Sequence, residues 1–305
     1  MTILPNLLTT TTTLTNPTLG EWRAVHEQAR AAYTRPIDAA MAAAAQADRL
    51  AWVFASGYTE AVRALVAPAR NLDGVVSLCV TEADGNSPKA IETRLNSGAN
   101  MVSGTMSGTK TMVSGGPWAD WFVVLASRGE DEDGMKKLSL VVVPSDRDGI
   151  IIEELDPLPI VPEMPHAIVR FDEVRVEAED VISDDAWTEY VRPFRVVEDL
   201  YVYAALVAWM TVQARRSGQL ELVHRFVALV AAARDLAAAS SHADATVSGL
   251  AGLRAMGRET LEAFDWSSVD DEFRERWERD RGLLGVASKA RRRRLSLVES
   301  RIAGA

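Results

Sequence analysis

Two short segments of the chain have residue types suited to framing a ligand. Thr81-Glu82-Ala83-Asp84-Gly85-Asn86-Ser87-Pro88 follows the β-branched run Val75–Thr81. Gly and Asn tolerate positive φ, and Asp and Ser side chains bond nearby backbone, so this segment reads as a turn. A turn at a strand's end can aim N–H groups and hydroxyls at a planar polar ring or a phosphate. It can equally be an ordinary surface loop. Within Lys110–Trp121, Ser114-Gly115-Gly116-Pro117 ends a second such run. Two loops of this kind side by side could frame one ligand. His166 opens a further run, near Glu163, and could act as base or ligand. A lone histidine in that position also serves structure alone. Arg291-Arg292-Arg293-Arg294 is either a solvated helix face, where cations oppose the helix dipole, or a contact for phosphates.

The elements that must position these residues change period along the chain. Between Val75 and Phe171 the period is two, with the runs VVSLCVT, TKTMVS, WFVVLAS, LSLVVVP, IIIEE and AIVRF, then VRV, separated by Gly, Pro, Asp and Asn. Six to eight short strands with turn signals between them predict a small β-barrel or sandwich. Gly129–Lys137 is an acidic hairpin loop, and Leu155–His166, with four prolines, is an extended crossing. Before this region the period is helical. Thr18–Glu21 is a capping-box pattern, Pro36 suits the first turn of a second helix, and Leu50 to Leu65 carries an apolar stripe ending near Pro68. After it, four helices are predicted: Val197–Arg216, Leu220–Ala239, Ala243–Phe264 and Asp270–Ile302, the last interrupted at Gly282 or Gly285. Antiparallel helices with short connections make a bundle. The expected fold is therefore α+β, divided as a disordered Thr-rich tail (1–17), helices (18–73), a β-barrel domain (74–183) and a helical bundle (184–305).

Composition narrows the function classes. The 305 residues are 48% hydrophobic and carry a net charge of −10. That suits a globular chain and disfavours nucleic acid as a partner, which needs a basic field. Cys79 is the single cysteine, which excludes an internal disulfide and fits a reducing cytoplasm. No apolar run is long enough to span a bilayer, and the first residues lack the positive region of a signal peptide.

These segments, in this order, resemble the acyl-CoA dehydrogenase family. TEADGNSP is similar to the family's TEPGAGSD loop. GTKTMVSGGPWADWFVVLASR is similar to its G-x-K-x-W-I-T-N segment, and LDPLPIVPEMPHAIVRFDEVRVEAEDVI to the strand pair ending V-x-F-D-x-V-x-V-P. The resemblance covers roughly residues 75–215. It implies N-terminal helices, a middle β-domain, a C-terminal four-helix bundle, and FAD between β-domain and bundle. It implies that Thr81 bonds the flavin pyrimidine ring and Ser114 bonds flavin N5. Leu78 and Val80 line the ring edge, Ser87 lies near the diphosphate or acyl-CoA chain, and Met112 stands where a Trp often covers the ring. Asn86 replaces a Gly of the family loop, and Pro88 an Asp. Fewer residues precede the loop than in most members, which implies missing N-terminal helices and a more open acyl pocket.

The C-terminal third departs from the family. Arg215-Arg216-Ser217-Gly218-Gln219 stands where R-x-x-F-G is usual, no Q-x-x-G-G turn follows, and the loop that usually bears the base has no Glu. The isovaleryl and long-chain branches carry their base at the start of the first bundle helix. Aligned on Leu200–Met210, Glu198 falls on that Glu, Asp199 on the Arg beside it, and Arg195 is a candidate for holding substrate. Glu198 and Asp199 are also ordinary first-turn acids. The implied function is α-proton abstraction from an acyl-CoA or acyl-carrier-protein thioester with hydride transfer to FAD. An electron-transfer acceptor protein is implied as partner, and a homodimer or homotetramer as the assembly. Two alternatives stand beside it: an FAD-less partner subunit of a mixed oligomer, and non-oxidative thioester chemistry on the same scaffold. The arginine run would then reach phosphates of coenzyme A or of FAD.

Overall fold

The computed structural model describes residues 3–66, 72–97, 103–183 and 185–304. The chain forms two compact units. One comprises Met1–Ala61, Pro159–Val161 and Val196–Ala305; the other comprises Val62–Leu158 and Pro162–Arg195.

The first unit is helical. α1 (Ile3–Thr9), α2 (Leu19–Ala32), α3 (Pro36–Ala44) and α4 (Leu50–Leu65) precede the sheet, and α5 (Arg192–Arg216), α6 (Leu220–Leu236), α7 (Asp244–Glu262), α8 (Asp271–Asp280) and α9 (Ser288–Ile302) follow it. The Thr18–Glu21 capping box forms as expected. Pro36 occupies the first turn of α3. Pro68, the expected end of α4, lies outside the described residues, as does Asp184. α5 starts five residues before Val197, continuous with a π turn at Trp187–Val191. The predicted last helix is broken where its glycines stand: a 3-10 turn at Arg281–Gly285 separates α8 from α9. That turn is pinned by Asp280, fully buried, which accepts the Val161 N–H at 2.8 Å.

Helices from both ends of the chain share this unit's core. The Trp209 indole donates to the Ala47 carbonyl at 2.8 Å. Arg234 grips Asp38 with two bonds of 2.6 and 2.8 Å, and its own carbonyl accepts from Arg35. Where α4 crosses α5, a Cβ on Gly57 would sit 2.7 Å from the Val202 Cα, so only glycine permits this approach. The apolar circumference of α5 is covered within the chain. Ala204, Ala205, Leu206, Val207 and Trp209 are all buried.

Residues 3–17 correct the expected disordered tail. Ile3 and Leu7 of α1 are fully buried, and the Leu14 N–H reaches the Gln46 carbonyl at 2.8 Å. Arg215 and Arg216, at the end of α5, donate to the Thr10 and Thr11 carbonyls. A threonine run has no apolar period, so the sequence gives no sign of these backbone acceptors.

The second unit is built on eight strands: β1 (Val76–Cys79), β2 (Arg94–Ser97), β3 (Ser103–Ser114), β4 (Trp121–Glu130), β5 (Lys136–Pro144), β6 (Ile150–Glu154), β7 (His166–Glu177) and β8 (Val181–Ser183). They order as β6-β7-β3-β2-β4-β5-β8, with β1 parallel to β4. The sequence predicts a small β-barrel or sandwich, and the strands form one eight-stranded sheet whose path runs from β6 to β8. The runs AIVRF and VRV are one strand, β7, paired to β3 across two register shifts. β2 escaped the sequence reading because Arg94 and Asn96 interrupt its apolar pattern. Alternate residues point into one core containing Cys79, Phe122, Val124, Val141, Val143, Val169 and Phe171. Phe122 and Phe171 meet there edge to face at 6.2 Å.

Candidate functional site

The Thr81–Pro88 loop is anchored through its second residue. Glu82 turns inward, 6% exposed, and accepts from the Glu92 amide (2.7 Å), the Thr93 amide (3.1 Å) and the Thr93 hydroxyl (2.8 Å). Lys110, fully buried on β3, donates to Glu82 and to the Leu125 carbonyl, each at 2.6 Å. Burial opposes both charges. For Glu82 the nearby Lys110 ammonium and the two amides outweigh it, holding the carboxyl below the usual carboxylate range. Burial likewise holds Lys110 below its ordinary value, against the pull of Glu82. The loop closes on itself through Glu82 N–H to Gly85 O at 2.9 Å and the reciprocal bond at 3.0 Å. Thr81 is thereby fixed between the strand and a tethered turn, its carbonyl accepting the Thr111 N–H at 2.8 Å.

β1 therefore runs beside β3, and the other expected flavin positions lie along this pair. Ser77 donates to the Ser114 carbonyl at 2.9 Å. The Ser114 hydroxyl lies 3.2 Å from His166 Nε2. Burial pushes His166 below its ordinary pKa, so its ring is neutral near pH 7 and can exchange a hydrogen bond with the serine. Met112 sits in the second bulge of β3 with φ +53 and is 45% exposed. Leu78 and Val80 are half-buried on one face of β1, and Thr81 is half-buried at its end. Ser87 is exposed and precedes the short 3-10 turn Pro88–Ala90. Met112 and Ser114 thus lie on β3 and Thr81 just beyond the end of β1, with Ser87 on the loop that follows.

α5 holds the remaining candidates. Arg195 is exposed and Glu198 half-buried, both in the first two turns of α5. Asp199 is engaged elsewhere: it accepts from Arg291 at 2.9 Å, with Arg294 3.8 Å away. Arg291 is thus an intramolecular partner, which the bare run of four arginines could not show.

Comparison with known proteins bears on this geometry. Residues 77–174 match the family model described as acyl-CoA dehydrogenase, middle domain. The sheet unit is similar to that middle domain over these residues. The likeness of fold extends over the whole chain. A solved FAD-dependent dehydrogenase covers 96% of this chain and 95% of its own at 12% identity and TM-score 0.69. The prolyl acyl carrier protein oxidase AnaB covers 91% and 89% at 13% identity and TM-score 0.67. Butyryl-CoA dehydrogenase from Megasphaera elsdenii covers 88% and 81% at 12% identity and TM-score 0.61. A search of curated proteins found no match. The chain has the acyl-CoA dehydrogenase arrangement of N-terminal helices, central β-sheet domain and C-terminal helices.

The middle domain's residues fit the ring end of a flavin. The half-buried Thr81 hydroxyl makes no hydrogen bond among the described residues. The Ser114 hydroxyl is oriented by a neutral imidazole, and Leu78 and Val80 are apolar neighbours. Glu82 and Lys110 were missed as positioning residues. The available signal was Lys110, an ammonium within a strand run, which demands a buried partner; Glu82, in a polar turn, gave none.

Proposed function

We propose that this protein is an FAD-dependent acyl-thioester dehydrogenase. The observation that carries the reading is the Glu82–Lys110 anchor, which ties the residue beside Thr81 to β3, the strand bearing Ser114, in a chain segment that matches the acyl-CoA dehydrogenase middle domain. In this reading Thr81 binds the pyrimidine end of the ring and Ser114 the central ring. Met112 and the Leu78–Val80 edge cover its apolar faces, and Ser87 lies toward the diphosphate or the acyl carrier. FAD, when bound, supplies the hydride acceptor. Glu198 removes the α-proton of an acyl-CoA or acyl-carrier-protein thioester, and Arg195 holds the substrate.

A second reading, an FAD-less subunit on the same scaffold, has one observation in its favour. Arg215 and Arg216 stand where the family's R-x-x-F-G reaches a neighbour's FAD, and here they bond the Thr10 and Thr11 carbonyls. The test is the visible spectrum of the purified chain after incubation with FAD, followed by anaerobic addition of butyryl-CoA and of longer acyl thioesters. The expected result is flavin absorbance that bleaches with at least one thioester. A colourless protein that takes up no FAD replaces the first reading with the second.

A further inference from the structure

The helical unit contains a cleft that the acyl-thioester reading does not use. It lies between α5, α7 and α9, has a volume of about 400 Å³, and is lined by none of Thr81, Ser114 or Glu198. Its walls are aliphatic, with Leu206, Val247, Leu250 and Leu295 among them. Its charged lining is unbalanced: Arg254, Arg258, Arg291, Arg292 and Arg294 stand against the single carboxylate of Asp199. Two of these cations are drawn together. Arg254 and Arg291 both donate to the Leu284 carbonyl, at 2.9 and 3.0 Å. Burial lowers the Arg254 pKa, and the Arg291 charge beside it lowers it further. Asp199 is engaged by Arg291 and, at 3.8 Å, approached by Arg294, so it offers Arg254 only distant compensation.

We propose that this cleft binds an aliphatic carboxylate, with its chain against the leucine and valine walls and its head group on Arg254 and Arg291. A small inorganic anion would leave the aliphatic walls wet, and a neutral chain would leave the two guanidiniums with the one carboxylate of Asp199 between them. A carboxylate on a chain satisfies both, and the guanidinium fork matches its two oxygens. A volume of about 400 Å³ lies within the range of small-ligand pockets.

The test is titration calorimetry on the full chain with decanoate, 1-decanol and acetate. Decanoate should bind at micromolar concentration, 1-decanol at least tenfold more weakly, and acetate without detectable heat. Arg254→Gln should weaken decanoate at least tenfold. Ala251→Trp, which fills the cleft from α7, should abolish binding while circular dichroism stays that of the parent. Absence of decanoate binding overturns the proposal. So do decanol binding as tight as decanoate, acetate binding as tight as decanoate, and undiminished binding in Ala251→Trp, which would place the ligand elsewhere.

Discussion

Lys110 and Glu82 give the sharpest handle on single residues. Lys110→Met leaves a buried carboxylate without its cation and should cost about 3–5 kcal/mol in urea unfolding at pH 7. Glu82 has a folded pKa below its unfolded value of 4.5. Its contribution is therefore complete above that value and fades as pH falls through the folded one. The gap between wild type and Lys110→Met should narrow on acidification toward about pH 4; a gap that stays constant removes the ionic pair from the account. At Glu198 the readout is chemical. Glu198→Gln keeps shape and removes the base, and should slow flavin reduction by an acyl thioester by about 10²–10⁴-fold while FAD stays bound. Reduction at the wild-type rate means that another group takes the proton.

At the scale of elements, the crossing of α4 on α5 depends on Gly57. Gly57→Val forces the two backbones apart and should destabilise the chain by about 3 kcal/mol in thermal or urea unfolding. A neutral outcome means that the helices already have slack. Most of these elements were legible. Period two marked the strands, the Thr18–Glu21 box and Pro36 marked helix starts, and Gly282 and Gly285 marked the break before α9. The misses share a cause. β2 and α1 are short, and neither carries a clear apolar period for local pattern to read. Of the candidate site, the turn after β1 was legible from its Gly, Asn and Asp, while Thr81 and Ser114 were named through the family resemblance. The site was not legible where long-range charge sets it. The inward turn of Glu82, the His166–Ser114 contact and the engagement of Asp199 by Arg291 each join residues 28 to 92 positions apart.

At the scale of the whole molecule, the order of helices, sheet and helices was legible, but the sharing of one helical core by the two ends was not. Removing residues 2–17 should expose that sharing. Ile3 and Leu7 are each worth about 1.5–3 kcal/mol of burial, and Arg215 and Arg216 lose their acceptors. The truncated chain should melt several degrees lower; an unchanged Tm means the segment contributes nothing. No helix among the described residues is long and apolar enough to cross a membrane. The split of the helical unit between Met1–Ala61 and Val196–Ala305 also sets a schedule during synthesis. The ribosome completes the sheet unit's sequence first, while Asp38 of α3 still lacks Arg234 of α6 and the Gly57 face of α4 still lacks α5. At about 5–20 residues per second that wait is on the order of ten seconds. During it, the nascent N-terminal helices are an exposed apolar surface of the kind chaperones recognise.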